Sequence, residues 1–474
     1  MVNINKKTKV VGTIGPSCDT KEMIKKLYDA GLNVARLNFS HGNHETHLEK
    51  IKIINELINE GCNMAIMLDT KGPEIRTGDM KDNLACFERG NETRVSMTPV
   101  LGTSEKISVN YPNLINDVKV GDEIKFDDGR LELRIKDIDY EKKELVCDVL
   151  NNHNIRSRRN CIAPFARLSM PFISKQDYED IKFGCLNHVD FIASSFTRRK
   201  EDVMDIRKIL KEYNAEDIKI IAKIENQEGV DNLEEILEAA DGAMVARGDL
   251  GVEIPPEEVP LVQKRIVAEC LRLNKICIVA THMLDSMQKN PTPTRAEVSD
   301  VSNAVFEKCD AIMLSGESAS GDFPVESVAM EAKIASRMES VFDYHKISEK
   351  ALHNRNFSGD DAIAFSVANT VILTDAKLII AFSKSGATSR RLSSYRPSCP
   401  IISVSSLNSV VRKLCLNWGV YGYYYPNVIR DMNFFETAAN DIAKKFGVQP
   451  GEVIVMTGGD GMGSTNFMKI VKVK

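Results

Sequence analysis

The 474-residue sequence has no apolar run long enough to cross a bilayer, no cysteine pair at motif spacing, and no large excess of one charge. The first absence excludes a helical membrane span, which needs about 20 consecutive apolar residues. The 11 cysteines are odd in number and contain no Cys-x-x-Cys pair, so they are expected to be reduced thiols, neither a disulfide framework nor a zinc site. A net charge of −5 and an isoelectric point of about 6.0 give no preference for nucleic acid over small anions. The polar start runs straight into a strand, without the pattern of a secretory signal. A cytoplasmic protein is expected, with neither nucleic acid nor membrane among its partners. Core material is ample, with 43% hydrophobic and 27% charged residues, and the length calls for two or three domains.

Strand and helix patterns alternate from the beginning. Lys9-Val-Val-Gly-Thr-Ile-Gly15 reads as a buried strand, Asp19 with Glu22 as an N-cap pair, and a helix runs to Ala30 before Gly31 stops it. Strands at 34–40 and 64–70 follow, with a helix from about His44 to Asn59 between them. Beyond Lys71-Gly-Pro73 the helical period disappears until about 168, and short alternating runs flank an Asp128-Gly129 turn. Alternation of strand and helix then resumes, with strands expected at 189–196, 219–225, 242–248, 275–281 and 310–315. Three strands before the insert and five after it give eight, the number of a (β/α)8 TIM barrel. An insert after the third strand sits over the carboxyl-end mouth, where a lid belongs. The pattern loosens around 340–358, and beyond it a smaller α/β sheet is expected, with strands at 377–382, 400–404, 420–424, 452–457 and 466–473. Helices are expected at 361–373, 388–395, 408–417 and 433–446. The expected fold is therefore an α/β chain in three parts: a barrel (1–72 and 169–343), an inserted small β-barrel lid (73–168) and a C-terminal α/β domain (344–474).

The chemistry concentrates at strand ends. In Lys219-Ile-Ile-Ala-Lys-Ile-Glu225, Lys223 and Glu225 are two apart and share a face. Gly242-Ala-Met-Val-Ala-Arg-Gly-Asp249 brings a second carboxylate to the same end. Two carboxylates suit Mg2+, which keeps positions open for substrate oxygens, and an adjacent ammonium stabilises developing anionic charge. The other polar residues ending strand runs are Asn38, Ser40, Asp69, Thr70, Ser195 and Thr281. In the C-terminal part, Ser383-Lys-Ser-Gly-Ala-Thr388 follows a strand and opens a helix, a geometry that offers amides and hydroxyls to a phosphate. The glycine cluster Gly458–Gly463 leads into a strand and not a helix, which excludes a dinucleotide fingerprint.

Five segments together resemble pyruvate kinase: Arg36-Leu-Asn-Phe-Ser-His-Gly42, Leu68-Asp-Thr-Lys-Gly-Pro-Glu-Ile-Arg-Thr77, Ala222-Lys-Ile-Glu-Asn226, Ala246-Arg-Gly-Asp-Leu-Gly251 and Met313-Leu-Ser-Gly-Glu317. The resemblance spans essentially the whole chain. It implies transfer of the phosphoryl group of phosphoenolpyruvate to ADP in glycolysis, giving pyruvate and ATP. It further implies that Glu225 and Asp249 hold Mg2+ or Mn2+, and that Lys223 and Arg36 meet the transferring phosphoryl group. By the same resemblance, the Gly248 and Asp249 amides bind the substrate carboxylate, and Thr281 relays a proton to the enolate. Asn38, Ser40, Asp69 and Thr70 would ligate K+, and Glu74 stands where K+-independent members carry lysine. Asn38, His41, Arg76 and Arg159 are implied at the nucleotide. Ser383, Lys384, Ser385, Gly386 and Thr388 are implied for a sugar-phosphate effector. Members are usually homotetramers.

Two departures stand out. Arg159-Asn-Cys-Ile-Ala-Pro164 replaces the family's usual Lys-Gly-Val-Asn-Leu-Pro, and His282 replaces a glutamine beside Thr281. Two other functions share part of this pattern: a Mg2+ barrel acting on enolpyruvate- or oxaloacetate-type acids, and a catalytically weak paralogue that binds sugar phosphate and regulates a partner. A simple lyase has no use for an ADP site or a lid. Loss of Lys223 or of a metal ligand would mark the regulator, and all three residues are present.

Overall fold

Eight short, mostly apolar runs are buried along all or nearly all of their length and pair only in parallel. In chain order they are Lys9–Thr13, Val34–Asn38, Ala65–Asp69, Phe191–Ser194, Lys219–Ile224, Gly242–Ala246, Ile276–Ala280 and Ala311–Leu314. They close in the order 1-8-7-6-5-4-3-2, each strand beside its sequence neighbour, so the eight-stranded expectation holds. The computed structural model describes residues 4, 6–164, 166–354, 357–426, 432–459 and 464–474. Among the described residues no helix is long and apolar enough to cross a membrane.

The period of two divides each strand between two cores. On the fifth strand, Ile220, Ala222 and Ile224 face the surrounding helices, whereas Ile221 packs inside with Val34, Met67, Phe191 and Met244. Cys415 and Leu416, from the C-terminal part, join this inner cluster and plug the amino-end floor of the barrel. The mouth at the other end is therefore the open one.

The insert forms a sheet of seven short strands with its own hydrophobic core. Its edges meet: Thr77 bridges Val109, Gly78 N–H donates to the Ser108 carbonyl (2.8 Å), and the sheet curls on itself. The hairpin at 127–130 uses left-handed backbone at Asp127, Asp128 and Gly129, consistent with the expected turn. At the hinge from barrel to insert, Gly72 has φ +74° and a Cβ there would lie 2.8 Å from Ser195 Cβ, so only glycine fits. The C-terminal sheet has five strands, four parallel and the last antiparallel.

Three local expectations are corrected. Thr20, not Asp19, caps the first helix, its hydroxyl accepting from Met23 N–H at 3.3 Å. The loosened stretch after 340 contains a helix, Tyr344–Asn354. The helix expected over 408–417 ends as α-helix at Lys413 and tightens into a 3-10 turn over Leu414–Leu416. Residues 460–463 of the glycine cluster Gly458–Gly463 lie outside the described residues.

Candidate active site

At the carboxyl end of five barrel strands the inner-face position next in the period-two sequence is polar. Thr13, Arg36, Asp69, Ser195 and Lys223 follow Val11, Val34, Met67, Ala193 and Ile221 by two residues each. Convergence of these side chains builds one buried network. Arg36 Nε donates to Asp69 Oδ2 (2.6 Å) and its Nη1 to Thr13 Oγ1 (2.7 Å). Lys223 Nζ donates to Ser195 Oγ (2.7 Å) and lies 3.2 Å from Asp69 Oδ1 and 2.9 Å from Glu225 Oε1. Ser195 Oγ in turn is 2.6 Å from the Thr70 carbonyl.

Charge in this network is set by burial against close partners. Burial works to lower the Lys223 pKa, but the carboxylates of Asp69 and Glu225 outweigh it and hold the ammonium well above its ordinary value. Asp69 is held below the usual range because Arg36 and Lys223 overcome its burial. Glu225 behaves oppositely. Its burial, opposed by Lys223 and reinforced by the Asp249 carboxylate, raises it to about 7.

Glu225 and Asp249 fit a divalent cation. Glu225 is fully buried; its Oε2 accepts from Phe196 N–H (2.6 Å), while Oε1 faces Lys223 outside hydrogen-bond geometry. Asp249 has no hydrogen bond or ion pair among the described residues, which leaves its oxygens available. No cluster of three or more metal-type side chains occurs among the described residues, so a cation here takes its remaining ligands from substrate and water. The strand expected over 242–248, with Asp249 at its end, stops at Ala246, and Arg247–Glu253 is a short helix that carries Asp249 in its first turn. Its first-turn amides lack intrahelical acceptors. That of Gly248 donates to Thr281 Oγ1 (2.8 Å), so Gly248 and Thr281 are brought together.

Thr281 has φ +68° and the adjacent His282 φ +51°. A β-branched residue in left-handed backbone stores about 1–3 kcal/mol of strain. Arg247 holds the turn by donating to the carbonyls of Thr281 (2.6 Å) and Ala280 (3.2 Å).

The remaining residues are less concentrated. Asn38 pairs with Asp69 across the second and third strands, and its side chain accepts from the exposed Ser40 N–H (3.1 Å). Asp69 and Thr70 are buried in the Lys223 network; Ser40 has no side-chain contact to them. His41 is exposed, its carbonyl 2.9 Å from His47 Nε2. Arg76 is held by both oxygens of Glu74 at 2.8 Å. Arg159 lies on the insert with its Nε 3.4 Å from Asp127. A cleft of about 250 Å3 separates insert and barrel, walled by the substituted residues 160–163 on one side and by Asn226 and Asp249 on the other. In the C-terminal part, Gly386 (φ +78°) opens the helix Ala387–Ser394. Lys384 and Ser385 are exposed, whereas the Thr388 hydroxyl is buried against Thr465 (2.7 Å).

Sequence reasoning gave Thr13 and Arg247 no part in the site and left Ser195 as a strand-end residue without a role. The inner-face period, continued one step past each apolar run, finds Thr13 and Ser195. Nothing local in the sequence marks Arg247.

Comparison with known proteins bears on the whole chain. The family model for the pyruvate kinase barrel domain matches residues 5–328, and that for the pyruvate kinase alpha/beta domain matches 361–471. The pyruvate kinases of two Staphylococcus aureus strains, MRSA252 and USA300, are each 48% identical over 98% of this chain and 80% of theirs. The crystal structure of a pyruvate kinase from Cryptosporidium parvum superposes with a TM-score of 0.94 at 37% identity, covering 99% of this chain and 97% of that one.

Proposed function

The chain belongs to the pyruvate kinase family, and on that premise we propose that the barrel mouth moves the phosphoryl group of phosphoenolpyruvate to ADP, giving pyruvate and ATP. The observation that carries this reading is a buried lysine held protonated between carboxylates beside a guanidinium. A fixed ammonium and a fixed guanidinium at one point stabilise charge that grows on a phosphoryl group and on the enolate it leaves.

Each group has a part. Arg36 is pinned through Nε and Nη1, which leaves Nη2 without a protein partner among the described residues and aims the free edge of its fork at phosphoryl oxygens. Lys223, kept cationic by Asp69 and Glu225, is placed to stabilise charge on the transferring phosphoryl group and the forming enolate. Thr281 Oγ1 accepts from Gly248 N–H and donates to the Ala280 carbonyl, so it has the donor and acceptor a proton relay needs. Mg2+ or Mn2+, when held by Glu225 and Asp249, supplies polarisation of the substrate oxygens. Asn38, Ser40, Asp69 and Thr70 are proposed for K+, with Asp69 sharing its oxygens with Arg36 and Lys223. His41, Arg76, Arg159 and Asn38 are proposed at the nucleotide, and Ser383, Lys384, Ser385, Gly386 and Thr388 for a sugar phosphate. We further propose a cytoplasmic homotetramer, with residues 73–168 as lid and 344–474 as regulatory domain. No described feature favours a regulator without turnover.

The test is release of pyruvate from phosphoenolpyruvate with Mg2+ and K+, with and without ADP. Equimolar ATP and pyruvate are expected. Pyruvate without ADP, or none with it, would overturn the reading.

A further inference from the structure

A second polar cavity, of about 230 Å3, opens at the floor of the barrel, at the end away from the catalytic mouth. Its walls come from two parts of the chain. Lys219 begins the fifth strand, Asp241 precedes the sixth and Lys275 the seventh, while Arg390 and Lys413 reach in from the C-terminal part. Four cationic side chains therefore face one carboxylate.

The carboxylates nearby are already engaged. Asp241 accepts from Arg207 (2.6 Å) and from Ile220 N–H (3.0 Å) and lies 3.2 Å from Lys219. Lys413 is paired with Asp217. Among the described residues, two cations of the cavity have neutral partners only: Lys275 Nζ donates to the Ala240 carbonyl (2.7 Å) and Arg390 Nη1 to the Ser385 carbonyl (3.0 Å). Burial pushes both below their ordinary pKa, and the distant pull of Asp241 does not restore either. Half-buried cations without a counter-charge are costly unless something anionic completes them.

We propose that this floor cavity binds an oxyanion of the phosphate class, held between Lys275 of the barrel and Arg390 of the C-terminal part. A tetrahedral oxyanion accepts from a guanidinium edge and an ammonium at once and supplies the negative charge that a neutral sugar or a peptide amide lacks. Its occupancy clamps the helix Ala387–Ser394 to the barrel floor. Lys219, which lines the cavity, and Lys223, at the catalytic mouth, lie two steps of the period-two repeat apart on one strand. The cavity is distinct from the exposed Lys384, although the Ser385 carbonyl of the 383–388 loop is the group that holds Arg390 Nη1.

The test is equilibrium dialysis of the 474-residue chain against radiolabelled inorganic phosphate, comparing the parent, the double variant Lys275→Gln/Arg390→Gln, and Lys384→Gln. The double variant is expected to bind one phosphate fewer per chain, or that phosphate at least about tenfold more weakly. Lys384→Gln is expected to keep it. An isotherm unchanged in the double variant, or a phosphate lost only in Lys384→Gln, overturns the proposal. Melting in phosphate-free buffer gives a second reading. Removing uncompensated cations is expected to leave the midpoint equal or higher, and a clear drop would show that the protein itself already compensates them.

Discussion

Replacing Ser195 by alanine removes one oxygen that serves three groups. It accepts from Lys223 Nζ at 2.7 Å, and its hydrogen is shared between the Thr70 carbonyl at 2.6 Å and Asp69 Oδ1 at 3.2 Å. A hydrogen bond to a charged group contributes about 1.5–3 kcal/mol, and a buried carbonyl left unpaired loses about 1 kcal/mol more. Lys223 keeps its two carboxylates, so it stays charged but loses the contact that fixes its position sideways. If that position matters only where charge develops, the loss falls on the transition state and not on substrate binding. At about 1.4 kcal/mol per factor of ten, kcat is expected to fall about 10–100-fold with KM for phosphoenolpyruvate changed less than about threefold. Steady-state pyruvate formation measures both constants, and chemical denaturation measures the accompanying loss of about 2–4 kcal/mol in stability. A destabilised variant with unchanged kcat would refute the reasoning, because Ser195 would then be a packing element alone.

Three further outcomes are expected. Thr281→Gly relieves left-handed strain but gives up the Gly248 hydrogen bond and adds chain entropy, terms of about 1 kcal/mol each; denaturation is expected to show a change under about 1 kcal/mol while activity falls at least about tenfold, and parallel losses in both would contradict it. Glu225 holds its proton up to about 7 when folded against 4.5 unfolded, so in metal-free protein its ionisation lowers stability as pH rises between those values. Mg2+ needs the ionised form, so its effect on the melting midpoint is expected to be larger at about pH 8 than at about pH 5.5, and Glu225→Gln should abolish the difference. Glu74→Lys breaks the two-point contact to Arg76 and places an ammonium there; the activity that remains is expected to be insensitive to K+, read by comparing K+ with Na+ salts.

Much of this site could be read in the chain before its fold. Lys223 and Glu225 share a face because a strand repeats every two residues, and the 2.9 Å contact between them is that repeat made visible. The eight-fold count followed from apolar runs bounded by glycine and polar turns. What escaped was non-local. Arg247 reaches the Thr281 carbonyl across two strand ends, and no spacing within either segment encodes that contact. The strand expected over 242–248 stops at Ala246 because Arg247 and Gly248 already belong to the short helix Arg247–Glu253, a start that no cap residue or helical period marks in the sequence. Thr20 displaced Asp19 as cap because the extended backbone before the helix ends one residue later than the charge pattern suggests. The burial that shifts Glu225 to about 7, against the opposing pull of Lys223 and of the Phe196 N–H, exists only once the folded chain brings these groups together.

The most direct test is Lys223→Met, assayed for pyruvate formation from phosphoenolpyruvate and ADP with Mg2+, alongside equilibrium binding of phosphoenolpyruvate. We expect turnover to fall by at least about a thousandfold, since a buried ammonium facing developing charge is worth several kcal/mol, while binding through Arg36 and the cation persists. A variant that turns over at a rate close to the parent's would place the phosphoryl-transfer centre somewhere other than the Lys223 network.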